Sequence, residues 1–517
     1  MSKSLKILLI TAGVAIVLTT GLLLLIFLPN NNKLEVEDTN AEITVGVDEN
    51  GVHTAEVRKN DKGEIEKNGK GTLVDYVPAK IKQIDIENQS GTYTVTSYTP
   101  TTVETSSGAT ETKTEATVYT LVGYEDFELQ KGKTDDIAND AASMEFTKIA
   151  QLNCKNLKDF GLDKPVAQVK VMYTDDTSAL FYVGSNAPGD TGTYVKFGDS
   201  DTVYLVDSDS VDGFLINLLD MFSLEINKSV TDDDNANPSQ IKLSGKAYGD
   251  DIILKPNNSK EVSSSYIIAS NDNLYASETE AALVTGTIRG LYAQSVVCVN
   301  PSDSQLEQYG LKTPYAALEA TYPDTTIKLY SSKVSDDGTV FLTDDNKKLI
   351  YQIASSSVSW VVTSGEKLIN ENLFVPAYDY LSAITVELDG KKYKFDISKT
   401  TEQQEDEDGN TTDVDVYEIT CDGKSIDSTN FRVFYQNLTS LKNKGATSKK
   451  GSNQELAVTY SYSTGRNDDT LALYKAGDDL TATLNGKILG LASSNTPTKI
   501  KQNIDDLLNG KTVANFS

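Results

Sequence analysis

Histidine is almost missing from this chain, with His53 alone among 517 residues. A single imidazole rules out multi-histidine zinc sites, and its polar, charge-rich setting argues against a Ser-His-Asp arrangement. Cysteine is nearly as scarce. Cys154, Cys298 and Cys421 are odd in number and widely spaced, so they form no disulfide framework, and no CxxC pair suggests zinc. They read as small apolar core residues. Positive charge is in short supply too. Lys and Arg number 47 against 75 Asp and Glu, a net charge of −28 that repels nucleic acid and anionic membrane surfaces. The chain also lacks a Gly-x-Ser-x-Gly elbow, a Walker loop and a dinucleotide fingerprint, so neither an enzymatic activity nor a cofactor is expected.

What the chain does have is one stretch written twice. Phe160-Gly161-Leu162-Asp163-Lys164-Pro165 leads into a strand-like run from Gln168 to Tyr173. Tyr309-Gly310-Leu311-Lys312-Thr313-Pro314 leads into Ala317 to Tyr322. The two glycines stand 149 residues apart (310 − 161). Val77-Pro78-Ala79 and Val375-Pro376-Ala377 are separated by twice that period, with Ile226 to Val230 between them. Two unrelated motifs that keep one period indicate an internal repeat. The six residues Gly161, Leu162, Pro165, Gly310, Leu311 and Pro314 read as structural: glycine for a positive φ, leucine for the core, proline at the mouth of a strand.

A second signal is an uncharged run from Ile7 to Leu28, long enough to span a hydrocarbon core of about 30 Å as a helix. Lys3 and Lys6 before it, and Glu35, Glu37 and Asp38 after it, set the orientation by the positive-inside rule. The expected organisation is a cytoplasmic tail over 1–6, a transmembrane helix over 7–28 and a polar stalk over 29–75. Three modules follow, over 76–225, 226–374 and 375–517, the last without Gly-Leu-x-x-Pro. The chain is thus expected to be a single-pass protein of a bacterial cell membrane, with its bulk outside.

Each module reads in the same order. An opening hairpin comes first, as in Ile384 to Leu388 with Tyr393 to Ile397, then a polar insertion. The insertions are rich in Thr and Ser at Thr99 to Thr117, in Asn and Ser at Asn257 to Ser265, and in acids at Glu402 to Asp415, which reads as a loop tip. A strand starting at Tyr119, Tyr266 or Tyr417 follows, then a helix. Strands ending at Tyr173, Tyr322 and Tyr460 come next, with Asp-Thr turns behind them. Closing helices are expected on the faces Val211, Phe214, Leu215, Leu218, Phe222 and Ile500, Ile504, Leu507, Leu508. The fold class is therefore α+β: a transmembrane helix and three modules of mainly antiparallel sheet, with two helices each.

Chemical motifs are thin. Asp207-Ser208-Asp209 with Asp212-Gly213 approaches a calcium loop but misses its spacing, and Asp406, Asp408, Asp413 and Asp415 read as a solvated acidic loop, so no metal is expected. Ser239 with Lys242 and Ser364 with Lys367 match Ser-x-x-Lys at the level of chance.

The apolar run, Tyr119-Thr-Leu-Val, Tyr266-Ile-Ile-Ala and above all the two Gly-Leu-x-x-Pro strands with their Asp-Thr turns resemble the bacterial family called domain of unknown function 4340. The resemblance spans residues 76 to 370 well and the last module weakly. Its members are often encoded beside ABC transporters, including those likened to gliding-motility systems. The resemblance implies an auxiliary or scaffold role in an envelope ABC-type transport system, with a permease complex as protein partner, no assigned activity and no catalytic residues to carry over. The alternative is a surface module that binds wall polymer or peptide without a transporter.

Overall fold

A computed structural model describes residues 43–63, 70–106, 109–229, 237–271, 274–405 and 411–516. The chain divides into two compact units, Met1–Ser223 and Leu224–Ser517. The first is built on a nine-stranded antiparallel sheet. Its spatial order is Gly71–Asp75, Ser143–Gln151, Val203–Val206, Thr193–Phe197, Ser178–Asn186, Ala167–Tyr173, Ile81–Asn88, Gly91–Tyr98 and Val118–Leu121.

The second unit carries two such sheets. One has nine strands in the order Leu274–Tyr275, Tyr266–Ile268, Ile252–Pro256, Gln240–Ser244, Ala316–Thr321, Thr326–Ser331, Thr339–Asp344, Leu349–Ala354 and Ser295–Val299. The other has eight: Lys424–Ile426, Thr411–Cys421, Lys391–Glu405, Leu381–Leu388, Gln454–Tyr462, Asp469–Ala476, Asp479–Leu484 and Lys487–Ala492.

The repeat is therefore one of topology. In each sheet the first strand of a hairpin lies between its own partner and the strand that returns after the helix: Ile81–Asn88, Gln240–Ser244 and Leu381–Leu388 hold that place. Period-two patterning puts these strands there. Ala167, Val169, Val171 and Tyr173 face the core, while Gln168 and Lys170 face solvent. Pro165 and Pro314 stand just before the ladder starts, where a missing N–H costs nothing, and Val166 and Tyr315 make the first bonds, to Val183 and Ser331.

The fold class is corrected at two points. Two helices per module is wrong: the helical content is small and unequal. Among the described residues the first sheet is packed by one α-helix, Lys133–Ala142, and the segment that follows from Ser143 is a strand. Met144, Phe146 and Ile149 reach the core along it. The expected closing helix there is three short 3-10 turns, Ser208–Ser210, Asp212–Leu215 and Leu218–Met221. Side chains of the opening hairpin take the carbonyls that a helix would use. Asn88 Nδ2 donates to Phe214 O and Ile216 O, and Tyr93 Oη donates to Ile216 O at 2.7 Å. Ile216 and Asn217 run extended as a result. The middle sheet has three short helices, Glu278–Thr285, Asp303–Gln308 and Gly365–Leu368. Only the last sheet has two full ones, Ser428–Thr439 and Thr496–Leu508, with the expected face Ile500, Ile504 and Leu507 buried.

The second correction concerns the membrane. The single-pass anchor, the cytoplasmic tail and the localisation drawn from them do not stand: no helix among the described residues is long and apolar enough to cross a membrane. The run 7–28 itself lies outside those residues. In the segment read as a stalk, Ile43–Val47 pairs with His53–Val57 and Gly71–Asp75 joins the first sheet.

Register also moves two tyrosines. Ile81 pairs with Tyr173 and Leu381 with Tyr462, so Tyr462 rather than Tyr460 is the counterpart of Tyr173. Val95 pairs with Leu121 and Phe395 with Cys421, which makes Ile419 rather than Tyr417 the counterpart of Tyr119.

Candidate functional site

The polar chemistry of the chain gathers where each returning strand ends and turns. In the first unit this corner holds the only histidine. Thr177 Oγ1 donates to Asp175 Oδ1 at 2.6 Å, and Tyr76 Oη donates to Asp175 Oδ2 at 2.8 Å. With both hydroxyl protons directed at the carboxylate, His53 Nε2, at 3.0 Å from Thr177 Oγ1 and 3.1 Å from Tyr76 Oη, must carry the donated proton. The imidazole thus serves as donor, not as a base toward the threonine. Burial pushes the His53 pKa down, and the Thr177 hydrogen bond pulls Asp175 down. Tyr76 stacks on Tyr173 at 4.0 Å, and Tyr173 Oη closes the corner on Ala141 O.

The middle corner uses a cation instead. Arg289 Nη2 lies 2.9 and 2.8 Å from the two Asp324 oxygens, and the guanidinium sits 4.1 Å from the Tyr322 ring centre. Hydrogen bonding to Arg289 lowers Asp324, and burial raises Tyr322 to about 12. The last corner is the most enclosed. Asp469, its side chain 5% exposed, accepts from Arg466 Nη2 at 2.8 Å, Tyr462 Oη at 2.8 Å and Asn485 Nδ2 at 2.7 Å. Arg466 also reaches Tyr275 Oη at 3.1 Å and Ser259 Oγ, and lies 3.8 Å from Glu261.

Ser259 and Glu261 belong to the middle insertion, so that insertion is not a solvated loop tip. Val262 is 5% exposed and packs in one cluster with Leu373, Phe374, Tyr378 and the core of the last sheet. Ser263 N donates to Val375 O, and Ala377 N donates to Glu261 O at 2.8 Å. One apolar residue inside a polar insertion was the sequence signal for this, and alone it was too faint to read. The arm Asn257–Ser265 is how one repeat grips the next inside the second unit.

The six motif residues lie elsewhere, at the foot of the returning strands. Gly161 ends the 3-10 turn Leu157–Phe160 at φ +68°, and Gly310 ends the helix before it at φ +72°. Leu162 N donates to Leu157 O and Leu311 N to Leu306 O, and both leucines are buried in small satellite clusters. Cys154 and Cys298 line those same clusters, and all three cysteines are buried and unpaired.

The Ser-x-x-Lys pairs are not assembled. Ser239 Oγ donates to Thr321 O while Lys242 pairs with Asp251. Ser364 caps the helix Gly365–Leu368, and the Lys367 amine goes to Val362 O. No group of three or more ligands that would hold a metal ion occurs among the described residues, and Asp406 and Asp408 lie outside them.

One carboxylate departs far from its ordinary behaviour. Asp140, on the helix Lys133–Ala142, accepts from Gly213 N at 2.8 Å and is pushed from 3.8 to about 6, first by burial and then by Asp212, Asp136 and Asp209. A raised folded pKa contributes stability below pH 4 that is lost as pH climbs to 6. Asp140→Asn keeps an acceptor for Gly213 without the charge. It should therefore stabilise the first unit by about 1 kcal/mol at pH 7.5, after allowance for partial solvent screening, and by nothing at pH 4. Chemical denaturation at the two pH values checks this, and an equal effect at both would sink it.

The family described as domain of unknown function, DUF4340, matches residues 120–297 and, a second time, 281–456. No curated protein matches the chain.

Proposed function

The chain belongs to the DUF4340 family, and on that premise we propose that it is a non-enzymatic scaffold, an auxiliary component of an ABC-type transport system that binds the permease complex. The observation that carries this reading is the grip of the middle insertion on the last repeat. A polar loop, one apolar plug in Val262 and an arginine in Arg466 together make a protein–protein contact out of the repeat itself. Modules that bind each other in this way are suited to binding other proteins by the same means. The polar corners fit the same role, since their hydroxyls and carboxylates are turned on one another. The test is co-purification of the tagged full-length chain with the ABC permease of the same cells in mild detergent. The permease subunits should be retained through washing at low salt. Elution of the chain without them would overturn the proposal.

A further inference from the structure

The insertion that grips in the middle repeat has a counterpart in the last one. Register fixes the correspondence: Val95 pairs with Leu121 and Phe395 with Cys421, so residues 399–417 occupy the place of 99–117, and Asn257–Ser265 holds that place in the middle repeat. In the last repeat the two strands run on past the sheet as a ribbon, with Lys399 opposite Tyr417, Thr401 opposite Asp415, Glu402 opposite Val414 and Gln403 opposite Asp413. Lys399 to Gln404 are all exposed, as are Thr411 to Asp413. Since consecutive residues point to opposite faces, both faces of the ribbon are in solvent along this stretch.

A two-stranded ribbon with neither face packed is marginal on its own. This one is tied at its base by Lys399 to Asp415 at 2.7 Å, by Thr401 to Asp415 and by Tyr417 Oη to Asp379 at 2.6 Å. Those contacts aim it without covering it.

We propose that this ribbon is a docking arm for a partner protein, and that it meets a basic surface presenting arginine or lysine. Two observations name that occupant. The first is continuity with an interface already formed: the equivalent arm, Asn257–Ser265, is seated on a neighbouring repeat, where Ser259 and Glu261 receive Arg466. The second is charge: Asp413 and Asp415 line one face of the ribbon and Glu402 the other, with Lys399 alone opposing them. An arginine facing two such carboxylates repeats the chemistry of the Arg466 corner. A second copy, with a net charge of −28, is a poor match for an acidic arm. The occupant is a different protein.

This inference rests on the scaffold reading above and says which surface performs it. The full-length chain and its Glu402→Lys/Asp413→Lys variant are titrated with the detergent-solubilised permease complex. Both substitutions are at exposed positions, and matching melting temperatures check that the variant is folded. Wild-type binding that weakens at least tenfold in the variant, and that falls as salt rises from about 0.05 to about 0.5 M, is the expected result. Equal binding by the two chains, or binding indifferent to salt, overturns the ribbon as the acidic arm while the scaffold reading stands. If the wild-type chain does not bind the permease, both fall.

Discussion

Replacing Arg466 by methionine should cost the second unit about 3 kcal/mol, the penalty typical of removing one partner from a buried, hydrogen-bonded ion pair. Asp469 is the reason. Its side chain is 5% exposed and would keep only Tyr462 and Asn485 as donors, while its countercharge is gone. The guanidinium also stays charged in every usable condition. Although burial works against its charge, the bond to Tyr275 and the charge of Asp469 outweigh that and raise its pKa. Denaturant unfolding of the full-length chain, followed through the transition of the second unit, gives the number.

The double variant Arg466→Met/Asp469→Asn should recover part of that loss, since Asp469 no longer carries a lone charge while Glu261 still lacks its cation. A second consequence separates this node from ordinary packing. Arg466 holds Ser259 and lies beside Glu261, so the amides of Ser263 and Ala377, which bond across the arm, should exchange faster in Arg466→Met by more than the global loss explains. Exchange at those amides that matches the rest of the unit would mean that Val262 alone holds the arm.

The sequence told much about the repeat and less about the register. Gly-Leu-x-x-Pro was visible because its glycine and proline answer to the backbone and its leucine to a satellite core cluster. The tyrosines misled by two residues each time. Tyr460 and Tyr462 sit on one face of one strand, as do Tyr417 and Ile419, and a two-residue slip leaves inward and outward unchanged. Only the pairing partner, Leu381 or Phe395, distinguishes them. The closing segment of the first repeat has helical spacing at Val211, Phe214 and Phe222, and these residues are buried as that spacing suggests. What it could not display is that Asn88 and Tyr93, over 120 positions earlier, claim the carbonyls at Phe214 and Ile216. The corners were legible only as Asp-Thr turns. Tyr76 and Arg289 come from other stretches that no local pattern pairs with the turns, and although Arg466 stands only three residues before Asp469, its further contacts Ser259 and Tyr275 lie far back in the chain.

Gly161→Val should destabilise the first unit by at least about 3 kcal/mol, whereas Gly310→Val should cost the second unit about 1–2 kcal/mol. Both glycines stand at positive φ, +68° and +72°, so a β-branched residue is strained at either. The difference lies in what a side chain would meet. A β-carbon on Gly161 would come within 2.8 Å of Ser185 N, a backbone atom in the sheet that has nowhere to go. On Gly310 the nearest atom is Ser332 Cβ at 3.5 Å, an ordinary contact. Alanine sharpens the comparison. Gly310→Ala should cost about 1 kcal/mol, the strain alone, while Gly161→Ala should cost more because its one added carbon already collides. The two sites lie in separate compact units, so the penalties should add in the double variant. Thermal and denaturant unfolding of the four single variants and the double valine variant decide the matter. If Gly161→Val and Gly310→Val cost the same, contact with Ser185 is not what restricts the first glycine. If both are tolerated, the repeated glycines do not owe their identity to the backbone at all.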